Sequence, residues 1–141
     1  MDNIQSRANK ADMLHCKGYN CAQAVACAFA DVMNLDEKII FKMLEGNGLG
    51  MSDTYGTCGA VSGMAAVIAY TNSTGNLEAP DSKASTYEIV RNLEAVFRKN
   101  NGSTICRELK GIDTGKVLRP CPDCIKDAAT ILELYFAQKE L

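Results

Sequence analysis

The stretch Thr57-Cys58-Gly59-Ala60-Val61-Ser62-Gly63-Met64-Ala65-Ala66-Val67-Ile68-Ala69-Tyr70 decides the fold class of this 141-residue chain. Taken alone, Ala65 to Tyr70 is a short apolar run that a buried strand could also produce. Its alanines and glycines argue against a strand, because strands select β-branched and aromatic residues while alanine is the strongest helix former. A buried helix from about Thr57 to Tyr70 is therefore predicted. Gly59, Ala60, Ser62, Gly63, Ala65 and Ala66 give it a smooth surface. The small-xxx-small spacing of Gly59 and Gly63 predicts a neighbouring helix packed close.

The segments on either side read the same way. Ile4 to Lys17 holds no breaker, and Gly18 stands where that helix would stop. Asn20 with Gln23 three residues on is a capping box, so a second helix should run from Cys21 to about Met33. Asp36 caps a third through Leu44, with Ile39, Ile40, Met43 and Leu44 as its apolar stripe. Gly46 to Asp53 is glycine-rich and reads as a loop that could lie close to a cofactor or cysteine site. Ser73 to Ser82 is a polar connection. Asp81 or Ser82 then caps a helix to Asn100, stopped by Gly102, with Ile89, Val90, Leu93, Val96 and Phe97 on one face. A short helical turn over Cys106 to Leu109 ends near Gly111. The last helix begins at Pro122 and reaches about Gln138, burying Ile125, Ala128, Ala129, Leu132 and Phe136. No repeat or composition break divides the chain. The expected fold is all-α: one domain over residues 1–141, a single compact bundle of five to six helices with cysteines at helix N-termini.

Hydrophobic residues make up 47% of the chain and charged residues 23%, which suits a globular domain that buries a core without disulfide staples. The net charge is −2, and lysines and arginines are scattered. That excludes the basic footprint of a nucleic-acid binder and gives no anchor for an anionic membrane surface. Met1 to Arg7 lacks the basic start and apolar run of a secretory signal, and the longest apolar run, Met64 to Tyr70, is too short to enter a bilayer as a spanning helix. A cytoplasmic protein with reduced thiols and no membrane insertion is expected. The helix faces leave a homo-oligomer open.

Seven cysteines with one histidine and no tryptophan point to sulfur chemistry. Cys21, Cys58, Cys106, Cys121 and Cys124 all fall at or near predicted helix starts. Free N–H groups and the helix dipole stabilise a thiolate there by roughly 0.3–1 kcal/mol, making it a better ligand or nucleophile. Cys121-Pro122-Asp123-Cys124 is the one C-x-x-C. No βαβ pattern surrounds it to suggest a thioredoxin dithiol, and Ile125 stands where a haem-attachment histidine would be. Cys27, between Ala26 and Ala28, reads as a buried inert thiol. Cys16 reads as a bystander, and His15 as a surface residue at a helix end. No carboxylate pair or phosphate-binding loop stands out, and enzyme status is left open.

The run Asn20-Cys21-Ala22-Gln23-Ala24-Val25, then Cys58-Gly59-Ala60-Val61-Ser62-Gly63, then Cys106 with Leu109, then Cys124, resembles the C_GCAxxG_C_C family. Its members are described as redox-active, largely by inference from their cysteines. The resemblance extends from about Gly18 to Leu132. It implies a small helical protein with four signature cysteines, here Cys21, Cys58, Cys106 and Cys124. A similar module in split-Soret cytochromes is associated with an iron–sulfur cluster. Cys121 lies outside the signature and stands as an alternate to Cys124.

The leading expectation is a four-cysteine site for a [2Fe–2S] or [4Fe–4S] cluster, serving electron transfer or redox sensing with a docking protein as redox partner. One alternative is a metal-free thiol–disulfide protein using Cys121 and Cys124 or a pair of the signature thiols. Another is a zinc-binding structural or interaction module.

Overall fold

The computed structural model of the protein describes residues 6–139. Among them are nine helices and no strand: α1 (Arg7–Cys16), α2 (Cys21–Cys27), α3 (Ala30–Met33), α4 (Glu37–Met43), α5 (Gly48–Met51), α6 (Gly59–Asn72), α7 (Lys83–Asn101), α8 (Cys106–Lys110) and α9 (Cys121–Lys139). The chain is all-α, as expected, with more helices than the five to six read from the sequence. The proposed start at Ile4 lies outside the described residues.

Besides α8, read from the sequence as a short helical turn, two local events raise the number. The predicted helix from Cys21 to Met33 is broken at Ala28–Phe29, where Phe29 leaves helical geometry at φ −115° and ψ 20°. The Arg7 guanidinium donates to the Ala28 carbonyl at 2.9 Å and also forks onto the Asp31 carboxylate. A side chain that takes a carbonyl out of the helical ladder is a recognised cause of a kink. The second event is in the glycine loop, which coils into the short turn α5.

Other boundaries follow the sequence signals. Asn20 accepts from the Gln23 N–H at 2.8 Å, and the Asn20 N–H donates to the Gln23 side chain at 2.9 Å, closing the capping box. Gln23 is buried, and its amide donates to the Phe41 carbonyl at 2.8 Å. Asp36 caps α4 through the Lys38 N–H. Ser82 occupies the cap position of α7 but turns its hydroxyl to the Thr74 N–H instead.

Helix α6 lies at the centre, packed against α2, α7 and α9, while α1 packs along α9. Gly63 permits this closeness, since a Cβ there would sit 2.6 Å from the Ala22 carbonyl oxygen. Val25, Phe29, Met64, Ile68, Phe97, Ile125 and Leu132 fill the interior. Each such side chain contributes about 1.5–3 kcal/mol on burial. The predicted stripe of α4 is only half buried: Ile40 and Leu44 face the core, whereas Ile39 is 46% and Met43 71% exposed. Val96 of α7 is likewise exposed. Among the described residues no helix is long and apolar enough to cross a membrane.

Candidate functional site

Five cysteines reach one end of this bundle by different local routes. Cys21 opens α2, where the backbone amides of Leu49 and Ala22 lie near its sulfur and favour the thiolate. The Leu49 amide is delivered by α5, where Leu49 (φ 56°) and Gly50 (φ 59°) are left-handed. A left-handed non-glycine residue costs roughly 1–2 kcal/mol, and strain of this kind gathers at functional sites. Gly50 is required here: besides its positive φ, a Cβ would collide with the side chain of Cys106.

Cys58 lies differently from its predicted place behind a Thr57 cap. It is itself the N-cap of α6; its sulfur makes no side-chain cap hydrogen bond, the Val61 N–H donates to the Cys58 carbonyl at 2.9 Å, and the nearby Ala60 and Val61 amides favour the Cys58 thiolate. Thr57 instead forms an isolated antiparallel bridge with Ile105. The Cys58 N–H donates to the Thr104 carbonyl at 2.7 Å, the Cys106 N–H to Gly56 at 3.0 Å, and the Arg107 N–H to Thr54 at 2.9 Å. These bonds zip residues 54–58 to 104–107 and deliver Cys58 and Cys106 together. Helix α9 begins at Cys121, one residue earlier than predicted, with the Pro120 carbonyl accepting from Asp123 and Cys124. The Arg119 guanidinium holds its first turns through two 3.0 Å bonds to the Asp127 carboxylate.

Cys21, Cys58, Cys106, Cys121 and Cys124 line one cavity of about 380 Å³, with Leu49, Gly59 and Leu109 among its walls. His15, Lys110 and Arg119 also line it, and among the described residues no carboxylate does. Within it the thiols are neighbours across helices, Cys21 with Cys121 and Cys58 with Cys124, and the Cys124 S–H donates to the Arg119 carbonyl at 3.7 Å. The C-x-x-C cysteines therefore each neighbour a different helix start.

The pairing sorts the thiols. The neighbouring Cys121 thiol, joined by the backbone amides and opposed by burial, lowers Cys21 from 9.0 to about 6. The Cys124 thiol and the Ala60 and Val61 amides lower Cys58 in the same way. Beside these two sulfurs, Cys121 and Cys124 are pushed up. Burial also raises Cys106, with Lys110 partly offsetting it. The sequence expectation that every helix-start cysteine favours the thiolate is thus corrected. At Cys21 and Cys58 the neighbouring thiol and amides outweigh burial, and at Cys106, Cys121 and Cys124 they do not.

The structure leaves Cys16 exposed and Cys27 fully buried, both away from the cavity. Cys27 is pushed by burial up to about 12. His15 is half-buried at the cavity edge, closer to the site than the sequence suggested. Sequence reasoning missed Leu49, Lys110 and Arg119. The signals available were the glycines flanking Leu49 and the placement of Lys110 one helical turn after Cys106. Among the described residues, no group of three or more His, Cys, Asp or Glu side chains is arranged to hold a metal ion.

The fold and site define an all-helical, cysteine-rich protein that gathers thiols from separate helix starts into a single chamber. The chain belongs to the C_GCAxxG_C_C family: the family model described as "Putative redox-active protein (C_GCAxxG_C_C)" matches residues 19–135. No curated protein and no solved structure matches the chain.

Proposed function

We propose that the chamber binds an iron–sulfur cluster through which the protein transfers or senses single electrons. The observation that carries this reading is the arrival of cysteine sulfurs in two contact pairs around one cavity, Cys21 with Cys121 and Cys58 with Cys124. A closed zinc site needs four donors about 2.3 Å from one ion. The described residues offer no such convergence of three donors. A [4Fe–4S] cluster takes one thiolate per iron, which keeps its ligand sulfurs apart. A [2Fe–2S] cluster takes two thiolates on each iron. Sulfurs presented in twos suit the last of these.

A bound cluster would supply a reversible one-electron couple. The chain's own contribution is electrostatic. Amides of Ala22, Leu49 and Ala60 lie near the ligand sulfurs, and Lys110 adds positive charge to the walls while that of Arg119 is matched by Asp127. Hydrogen bonds to sulfur and local charge are the levers that set a cluster's potential. A docking redox partner follows from this reading, because the electron must come from or go to another centre.

Cys21, Cys58 and Cys124 are common to the contact pairs and to the family signature. The fourth ligand is Cys121 on contact geometry and Cys106 on the signature. Serine variants separate them: with the contact pairs as ligands, Cys121→Ser loses the cluster after anaerobic reconstitution and Cys106→Ser keeps it. The reverse result assigns the position to Cys106, and retention by both Cys21→Ser and Cys58→Ser would overturn the reading.

A further inference from the structure

The chamber before any cluster is loaded has chemistry of its own. Cys21 and Cys121 come from helices distant in sequence yet line the same cavity as interacting neighbours, and Cys121 is only partly buried. The other cavity cysteines are buried, Cys21 at 7%, Cys58 and Cys106 at 5% and Cys124 at 1% exposed. A reagent entering the cavity is therefore offered Cys121, with Cys21 as its thiol neighbour. It also meets Lys110, a lining cation with no ion-pair partner among the described residues, whereas the charge of Arg119 is matched by Asp127; Lys110 draws in anions.

We propose that the cluster-free chamber exchanges disulfides with small anionic disulfides, closing a Cys21–Cys121 bond. In the first step the Cys21 sulfur attacks one sulfur of the entering disulfide. A mixed disulfide forms on Cys21, the reagent's own S–S bond breaks, and one small thiolate leaves. In the second step the Cys121 sulfur attacks the Cys21 sulfur, the Cys21–Cys121 bond forms, and the second small thiolate leaves. The two protons released by the protein thiols end on the two small thiols. The protein pair has lost two electrons and the reagent has gained them. The other pair, Cys58 and Cys124, stays reduced.

The test uses full-length, cluster-free, reduced protein carrying Cys16→Ser, which removes the exposed thiol outside the chamber. It is incubated anaerobically with oxidised glutathione and mapped by peptide mass spectrometry. The expected product is a Cys21–Cys121 disulfide with two glutathiones released. Adding Cys121→Ser should halt the reaction at a glutathione adduct on Cys21. Lys110→Glu should slow oxidised glutathione roughly tenfold while leaving cationic cystamine as fast or faster. No disulfide, or one mapped to Cys58–Cys124 or Cys121–Cys124, would overturn the proposal. Equal slowing of both reagents by Lys110→Glu would overturn its anionic preference. None of these readouts involves iron, so they succeed or fail independently of cluster binding.

Discussion

Burial alone would keep Cys21 protonated, as it does Cys27, whose thiol is pushed up to about 12. Cys21 escapes because the neighbouring Cys121 thiol and nearby backbone amides favour its thiolate, bringing it to about 6. A value below the ordinary 9.0 fixes the sign of its pH dependence. The Cys21 thiolate contributes stability that is fully present above the ordinary thiol range and is lost as pH falls through about 6. In cluster-free protein, iodoacetamide labelling of Cys21 should rise with a midpoint near 6, and Cys121→Ser should move that midpoint upward by removing the largest stabilising contact. A midpoint at 9.0 in the unmodified chain would contradict this account. Neither the value nor the pairing was legible in the sequence. Helix-start position is visible there, but a contact between residues a hundred positions apart is not.

Among the elements, the crossing of α2 and α6 sets the site. Gly59 sits where any Cβ would meet the Cys21 sulfur, the Asn47 carbonyl oxygen and the Ala22 amide. The added methyl group of Gly59→Ala must displace backbone as well as sulfur. It should cost roughly 1–3 kcal/mol in urea unfolding, the usual range for overpacking. It should also disturb Cys21 labelling. Gly46→Ala is the matched control: a Cβ there meets nothing within 4 Å, and its φ is not positive. Its effect should stay within about 0.5 kcal/mol; an equal loss in both variants would show that close approach is not the constraint. This crossing was legible in the sequence as the spacing of Gly59 and Gly63. The capping box of α2 and the glycine stops after α1 and α7 were legible for the same reason: each is a local signal acting on its own neighbourhood. The break at Phe29 was hidden because Arg7, from another helix, causes it. The exposure of Ile39 and Met43 was hidden because a stripe shows which residues share a face, not whether anything covers it.

Across the whole molecule, the bundle converts cysteines spread over more than a hundred residues into one lined cavity, and it does so without a local ligand loop. The sequence indicated four signature thiols and an alternate, Cys121. The chamber admits all five and gives the alternate a thiol partner, Cys21. Two cysteines stay outside, as their local sequence suggested, while Lys110 and Arg119 enter from segments with no motif. The family assignment and the cavity point to redox chemistry, and the binuclear cluster is the proposal built on the paired sulfurs. The most direct measurement is the iron and acid-labile sulfide content of the unmodified full-length protein, purified without oxygen. The account predicts about two irons and two sulfides per chain, held by thiolates. A colourless preparation lacking both, or one with four irons per chain, would contradict it.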